Sequence, residues 1–362
     1  MRAAICREYG PPEVVRVEEL PSPPLGPGQV RVEVRAAAVG YPDVLLIAGQ
    51  HPVRRPVPFI PGSEYAGIVT EVARDVVRPK IGERVFGTTG AGAFGRELVV
   101  AAGAVRAVPA GLNDRVAAAF GVAHRLAYHV LRTVACLQPG EELVVLGAGG
   151  GVGLATVQIG AVLGASVTAV SSSAAKLEAA AVAGARHLVD HRGGDLREAL
   201  ARALPGGADV VVDPVGGTLA EPALEALRWA GRFVTVGFAS GVIPRIPLNL
   251  VLLNGIRVLG IQLRDLAVHR PDEVHRNEEE LMGLLAGGYV TPHVGAVFGL
   301  EQAAAALRYV ADGRAIGTVV LDVASPCLAS PCWESPCWES PCQESPCQEF
   351  QWPESAGTTA ST

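Results

Sequence analysis

Residues 143–153, reading LVVLGAGGGVG, decide the fold. Four apolar residues run into a turn of glycines, and the turn opens onto an apolar segment, 151–164, with the spacing of a helix. A second short strand is expected at 165–170, followed by a serine loop. Within the turn, Ala148, Gly150 and Gly153 hold the three marked positions of a dinucleotide fingerprint. Ala148 sits at the tight turn, Gly150 lets backbone approach a pyrophosphate, and Gly153 lets helix pack close on strand. The start of the helix, with Gly151 and Val152 beside these, then offers unpaired N–H groups and a positive dipole end to phosphates. Glycines alone are a weak signal; glycines between a strand and a helix, with a second strand after them, are a specific one.

The same region imitates a membrane span. Residues 143–175 run 33 positions without a charge, against the roughly 20 that a bilayer requires. Seven glycines interrupt the run, and strands covered by helices on both faces read as unbroken apolar stretches. The parallel-sheet reading is therefore the one adopted, with no membrane partner.

Outward from the turn, strands are expected at 143–147, 165–170, 187–190, 209–213, 232–237 and 257–261. Helices at 151–164, 174–183, 196–204, 219–230 and 247–254 alternate with them, which gives a doubly wound parallel six-stranded sheet. Before it, as far as residue 122, short alternating runs at 30–39, 67–72, 83–88 and 94–100 lie between clusters of Pro and Gly and read as antiparallel strands of a β-rich, barrel-like domain. After it, two helices (278–286, 301–312) and a strand (317–323) are expected to return to that first domain. The resulting division is 1–122, 123–263 as an insertion, 264–324 as the return, and 325–362 as a tail. Two domains suit 362 residues at about 150 each.

The tail is five copies of a five-residue unit, SPCLA, SPCWE, SPCWE, SPCQE and SPCQE, over 325–349. A proline in every unit and no apolar period predict a disordered segment. A thiolate metal trap is disfavoured, because the spacing is not that of zinc sites and the tail has no His. The tail also distorts the charge. It holds five of the 36 acidic residues and none of the 30 basic ones, so the net −6 of the chain falls to −1 without it. A nearly neutral body argues against a nucleic-acid partner. Charge arrives by Arg7 and Glu8, before any apolar signal segment can form, so a cytoplasmic protein is expected. Cys6 and Cys136, the two cysteines outside the tail, are read as core thiols.

The end of the second strand sets the cofactor. An NAD site carries Asp or Glu there, about 20 residues past the glycines, to accept from the ribose 2′-OH. This chain instead reads Ser171-Ser172-Ser173-Ala174-Ala175-Lys176, and Lys176 is one of only two lysines present. Hydroxyls and an ammonium without a carboxylate favour the 2′-phosphate of NADPH.

These features carry a resemblance. Residues 37–45 (AAVGYPDVL), 61–67 (PGSEYAG), the glycine turn, 213–217 (DPVGG) and 237–241 (GFASG) resemble the zinc-independent quinone oxidoreductases of the medium-chain dehydrogenase/reductase superfamily, zeta-crystallin-like proteins with a GroES-like substrate domain. The likeness runs from Met1 to about Val323. It implies transfer of hydride from NADPH to a quinone or an α,β-unsaturated carbonyl. Where zinc-dependent relatives hold metal with Cys and His, this chain resembles them only in position, with Gly40 and Ser63, so no metal is expected.

Carried over by the same resemblance, Gly150, Gly151, Val152 and Gly153 bind pyrophosphate, and Ser172 and Lys176 take the 2′-phosphate. His191 stands where relatives commonly have a Tyr near that phosphate, and Arg314 resembles an arginine able to reach it. Phe238 and Ala239 border the nicotinamide, while Tyr41 and Asp43 face the substrate. The chain departs from the family at Gly40, where relatives have an Asn, and at His124-Arg125-Leu126-Ala127-Tyr128, where they read Tyr-Gly-Thr-Ala-Tyr and the Thr, here Leu126, touches the nicotinamide amide. His124, two residues earlier, is a proton-donor candidate with a near-neutral pKa, weighed against a structural histidine. A homodimer through the edge strand 257–261 is expected, as relatives often pair there. The alternatives are an enone or enoyl reductase, or a non-catalytic NADPH-binding sensor or scaffold.

Overall fold

The computed structural model describes residues 1–324, so the repeat tail and its thiolates lie outside the described residues. The sheet that follows the glycine turn has six strands: β1 (Glu142–Leu146), β2 (Ser166–Ser171), β3 (His187–Asp190), β4 (Ala208–Asp213), β5 (Leu227–Thr235) and β6 (Arg257–Gly260). They lie in the order β3-β2-β1-β4-β5-β6, all parallel. The order reverses between β1 and β4, which opens a crevice at the carboxyl ends of those strands.

Helices α1 (Gly121–His129), α2 (Gly151–Val162), α3 (Ala174–Val182), α4 (Leu196–Ala203), α5 (Ala220–Glu225), α6 (Leu248–Asn254), α7 (Leu263–His269) and α8 (Pro271–Ala286) accompany the sheet. The two faces of β1 explain why the strand is apolar throughout. Leu143 and Val145 pack into one core with Leu131, Leu154 and Leu281, whereas Val144 and Leu146 pack into another with Leu200 and Leu224. Each such side chain contributes about 1.5–3 kcal/mol by leaving water.

Two expected boundaries move. The helix expected over 219–230 ends at Glu225, and β5 starts at Leu227 rather than at 232. Leu227 pairs with Ala208, then the register slips and resumes at Arg232 beside Val210. Burying Leu227 turns Trp229 out to 77% exposure and puts Ala230 at a φ of 61°, so sheet pairing overrides helical composition. The helix expected at 278 starts instead at Pro271, where a proline suits the first turn, and α7 precedes it.

The β-rich sheet is centred on Gln29–Val39, an 11-residue strand. Glu64–Val72 lies along one edge; the other edge is shared by Glu97–Ala101 and Thr318–Asp322. Val294–Gly299, a strand not anticipated, runs parallel to Thr318–Asp322. The last described strands thus return to the first sheet, and the Rossmann sheet is an insertion in a β-rich GroES-like unit. Also unanticipated is the helix Tyr41–Ile47, although its start is legible: Pro42 lies in the first turn, and Asp43 accepts from the Gly40 N–H at 2.9 Å.

Cys6 is buried as expected, but Cys136 is exposed, in a positive-φ turn (49°) that turns its side chain out of the core. No helix among the described residues is long and apolar enough to cross a membrane.

Candidate functional site

The glycine turn is built as its spacing requires. Gly150 caps α2 in an extended conformation, so Gly151, Val152 and Gly153 form the first helical turn at the crevice. A Cβ on Gly153 would overlap the Gly147 carbonyl oxygen, which shows why helix and strand meet only at glycine there. The turn is also tied to the β-rich sheet: the Gly317 N–H donates to the Gly149 carbonyl at 2.8 Å.

At the end of β2 the three serines divide their work. Ser171 is 3% exposed within the strand, and Ser173 caps α3 by accepting from the Lys176 N–H at 3.4 Å. Ser172, the first residue past the strand, is half-buried. Lys176 lays its aliphatic stem over Gly149, where any Cβ would collide with it, and its ammonium donates to the Gly313 carbonyl at 2.6 Å. Burial first, then the Arg192 charge, lowers its pKa. His191 stands beside them, its N–H on the Ser171 carbonyl at 3.1 Å. Arg192, which sequence reasoning passed over, acts electrostatically on both Lys176 and His191. Its signal was adjacency to His191, but only the fold brings it to Lys176. Arg314 follows Gly313 in the chain, yet its guanidinium lies over the Tyr309 ring at 4.8 Å.

On the far side of the crevice, Asp213 ends β4 fully buried, and one of its carboxylate oxygens accepts the N–H groups of Val215 and Gly216 at 2.8 Å each. That bond shapes the loop on which Phe238 rests: a Cβ on Gly216 would lie 3.1 Å from the Phe238 ring. Phe238 is 38% exposed, and Ala239 is exposed beside it.

The substrate-side expectations fare differently. Tyr41 is half-buried at the start of its helix and makes no hydrogen bond or ring contact with Phe238 or His124. Asp43 is 2% exposed and gives its carboxylate to the backbone N–H groups of Gly40 and Gly62, while burial pushes its pKa up to about 7. Its charge acts on Glu64, a residue not singled out from the sequence. Glu64 is 7% exposed and accepts from the Val122 N–H at 2.6 Å. Burial, with the Asp43 charge behind it, pushes its pKa up to about 8.

The near-neutral pKa expected of His124 is not what its surroundings produce. The ring is 3% exposed and stacked on Phe120 at 5.0 Å, its Nε2 lies 3.4 Å from Gln158 Oε1, and burial lowers its pKa to about 4. It is a neutral core histidine. A cavity of about 200 Å³ opens nearby, between Thr88, Arg106, Gly121, Arg125 and Glu278, but it shares no residue with the glycine turn.

A doubly wound sheet inserted in a GroES-like β unit, with a glycine turn at the switch point, defines a medium-chain dehydrogenase/reductase. Residues 26–120 match the alcohol dehydrogenase GroES-like domain, and residues 151–281 match the domain described as zinc-binding dehydrogenase. Over 324 residues the chain is 34% identical to the quinone oxidoreductase-like protein 2 of Bos taurus, covering 89% of this chain and 92% of that one. It is similar in structure to the quinone oxidoreductase of Escherichia coli complexed with NADPH, with a TM-score of 0.81, 26% identity, and coverage of 89% and 100%. The quinone oxidoreductase of Thermus thermophilus, solved alone and with NADPH, gives a TM-score of 0.75 at 29% identity, with coverage of 89% and 100%. The chain belongs to the quinone oxidoreductase family of that superfamily.

Proposed function

We propose that this chain is a cytoplasmic oxidoreductase that binds NADPH and reduces a quinone, or a neighbouring α,β-unsaturated carbonyl, without a metal. The observation that carries the reading is the end of β2: the chain there reads Ser171-Ser172-Ser173 with no carboxylate of its own, Lys176 and the Arg192 charge lie beside it, and the Asp190 carboxylate at the end of the neighbouring β3 is engaged by the Arg192 N–H. The two NADPH-complexed relatives support it. When bound, the nicotinamide supplies the hydride; the protein binds, orients and excludes water.

In this reading Gly150, Gly151, Val152 and Gly153 hold the pyrophosphate at the start of α2. Ser172, Lys176 and His191 face the 2′-phosphate, with Arg314 able to swing toward it from Tyr309. Phe238 and Ala239 flank the nicotinamide, and Tyr41 borders the acceptor. The working division is 1–122 and 264–324 for the acceptor side and 123–263 for the cofactor.

The residues present do not fit the zinc that the dehydrogenase domain implies. A catalytic zinc takes thiolate, imidazole and carboxylate ligands. Gly40 and Ser63 stand at two of the places that correspond, and the adjacent carboxyls are engaged by backbone, Asp43 on Gly40 and Glu64 on Val122. Among the described residues no group of three or more His, Cys, Asp or Glu is placed to hold a metal ion. An alcohol would therefore lack a Lewis acid to lower its pKa, whereas an electrophilic acceptor needs none.

Oxidation of NADPH by a simple quinone, far faster than that of NADH and unaffected by a chelator, is the test; equal rates with both nucleotides would overturn the cofactor assignment. Leu126 and the neutral His124 favour one other reading, a sensor that binds NADPH without turnover. Tight binding with no oxidation across quinones and enones would select it.

Homodimerisation is part of the proposal. Leu248, Leu252 and Leu253 of α6 are 71–82% exposed, next in sequence to the edge strand β6, whose Val258 is 43% exposed. An apolar patch at an unpaired sheet edge is what a second copy would cover.

A further inference from the structure

Asp190, the last residue of β3, is in register with Ser171, the last residue of β2, and the next N–H, that of His191, closes on the Ser171 carbonyl at 3.1 Å. His191 is thereby fixed level with Ser172, at the strand end where a bound dinucleotide places its adenosine ribose. The charges facing the imidazole come from two elements. On its own, Asp190 and Arg192 flank it, and one Asp190 oxygen is occupied by the Arg192 N–H at 2.9 Å; across the gap, α3 contributes Lys176.

We propose that His191 makes this site a proton-linked reader of the 2′-phosphate, taking up a proton from solvent when NADPH binds and none when NADH binds. The inference rests on the cofactor reading above and adds a specificity device that a tyrosine at this position would lack.

The physical reason is the balance around the ring. In the free protein, partial burial disfavours the imidazolium, Asp190 pulls the other way, and the Arg192 and Lys176 charges again oppose protonation, so the pKa lies below the ordinary histidine value. A phosphate dianion set among Ser172, Lys176 and His191 neutralises the two cations and adds an opposite charge of its own. The imidazole then gains a partner for a proton on either ring nitrogen, and the charged form becomes the favoured one. A ribose 2′-OH brings no charge and leaves the ring neutral.

The test is calorimetric and needs no turnover. The full chain is titrated with NADPH and with NADH near pH 7.5 in two buffers of different ionisation enthalpy, and the buffer dependence of the heat counts the protons. Wild type is expected to take up about half a proton or more with NADPH and none with NADH. His191→Gln and His191→Tyr are expected to bind NADPH with no net uptake. Between about pH 6.5 and 8.5 the wild-type affinity for NADPH should fall several-fold more than that of either variant. Buffer-independent NADPH binding by wild type, or the same uptake in both variants, would overturn the proposal while leaving the cofactor reading in place. Absence of any NADPH binding would bring down both.

Discussion

The Lys176 ammonium donates to the carbonyl oxygen of Gly313, 137 positions away in sequence, at 2.6 Å. The bond ties the first turn of α3 to the segment that leads back into the β-rich sheet, and it holds the lysine stem flat across Gly149. One side chain therefore joins the glycine turn, the carboxyl end of β2 and the returning chain.

Lys176→Ala is expected to raise the Michaelis constant for NADPH by about tenfold or more, the loss of a charge-assisted bond to phosphate, and to leave that for NADH within about twofold. Steady-state kinetics with both nucleotides checks it. An unchanged NADPH constant would remove Lys176 from the site.

Asp43 and Glu64 give the fold an unusual dependence on pH. Their folded pKa values, about 7 and about 8, lie above those of carboxyls in an unfolded chain. Between about pH 4 and 8 the folded state therefore holds protons that the unfolded state has released, and their contribution to stability falls as pH rises. Glu64→Gln keeps an oxygen for the Val122 N–H without the ionisation. Its melting temperature relative to wild type should climb from pH 6 to about 8.5; parallel curves would show that Glu64 does not titrate in that window.

Glu278 of α8 accepts from Arg125 Nε at 2.8 Å and from Arg106 Nη2 at 2.5 Å, joining α8, α1 and the strand Val105–Ala107. Burial opposes its charge, but the two arginines hold its carboxyl below the usual range, so this contribution is present above about pH 4.5 and lost on acidification. Discounting the more exposed Arg106, Glu278→Gln should destabilise by about 1–3 kcal/mol at neutral pH and by little near pH 3, read from denaturant unfolding. An equal loss at both values would assign the effect to packing instead of charge.

Leu252→Glu with Val258→Lys is expected to turn a dimer into a monomer of the same fold in sedimentation, with circular dichroism as the control on folding. Wild type that sediments as a monomer would exclude the edge-strand dimer outright.

What could be read without coordinates was whatever depends on near neighbours in the chain. The strand, turn and helix around residues 143–164 follow from apolar period and glycine placement, because backbone geometry there is local. The serines and lysine after β2 were legible for the same reason, since motif spacing alone puts them at the carboxyl end of the second strand. Asp43 looked like a substrate contact and His124 like a proton donor, because sequence carries residue type and not burial. Tertiary packing supplied the burial: it closed backbone N–H groups around Asp43 and stacked Phe120 on His124, and desolvation raised the pKa of the one and lowered that of the other. Arg192 beside Lys176, the slipped register of β5 and the Glu278 bridge each join residues brought together only by folding. Charge and pairing over such distances depend on where the chain returns, which no local pattern encodes.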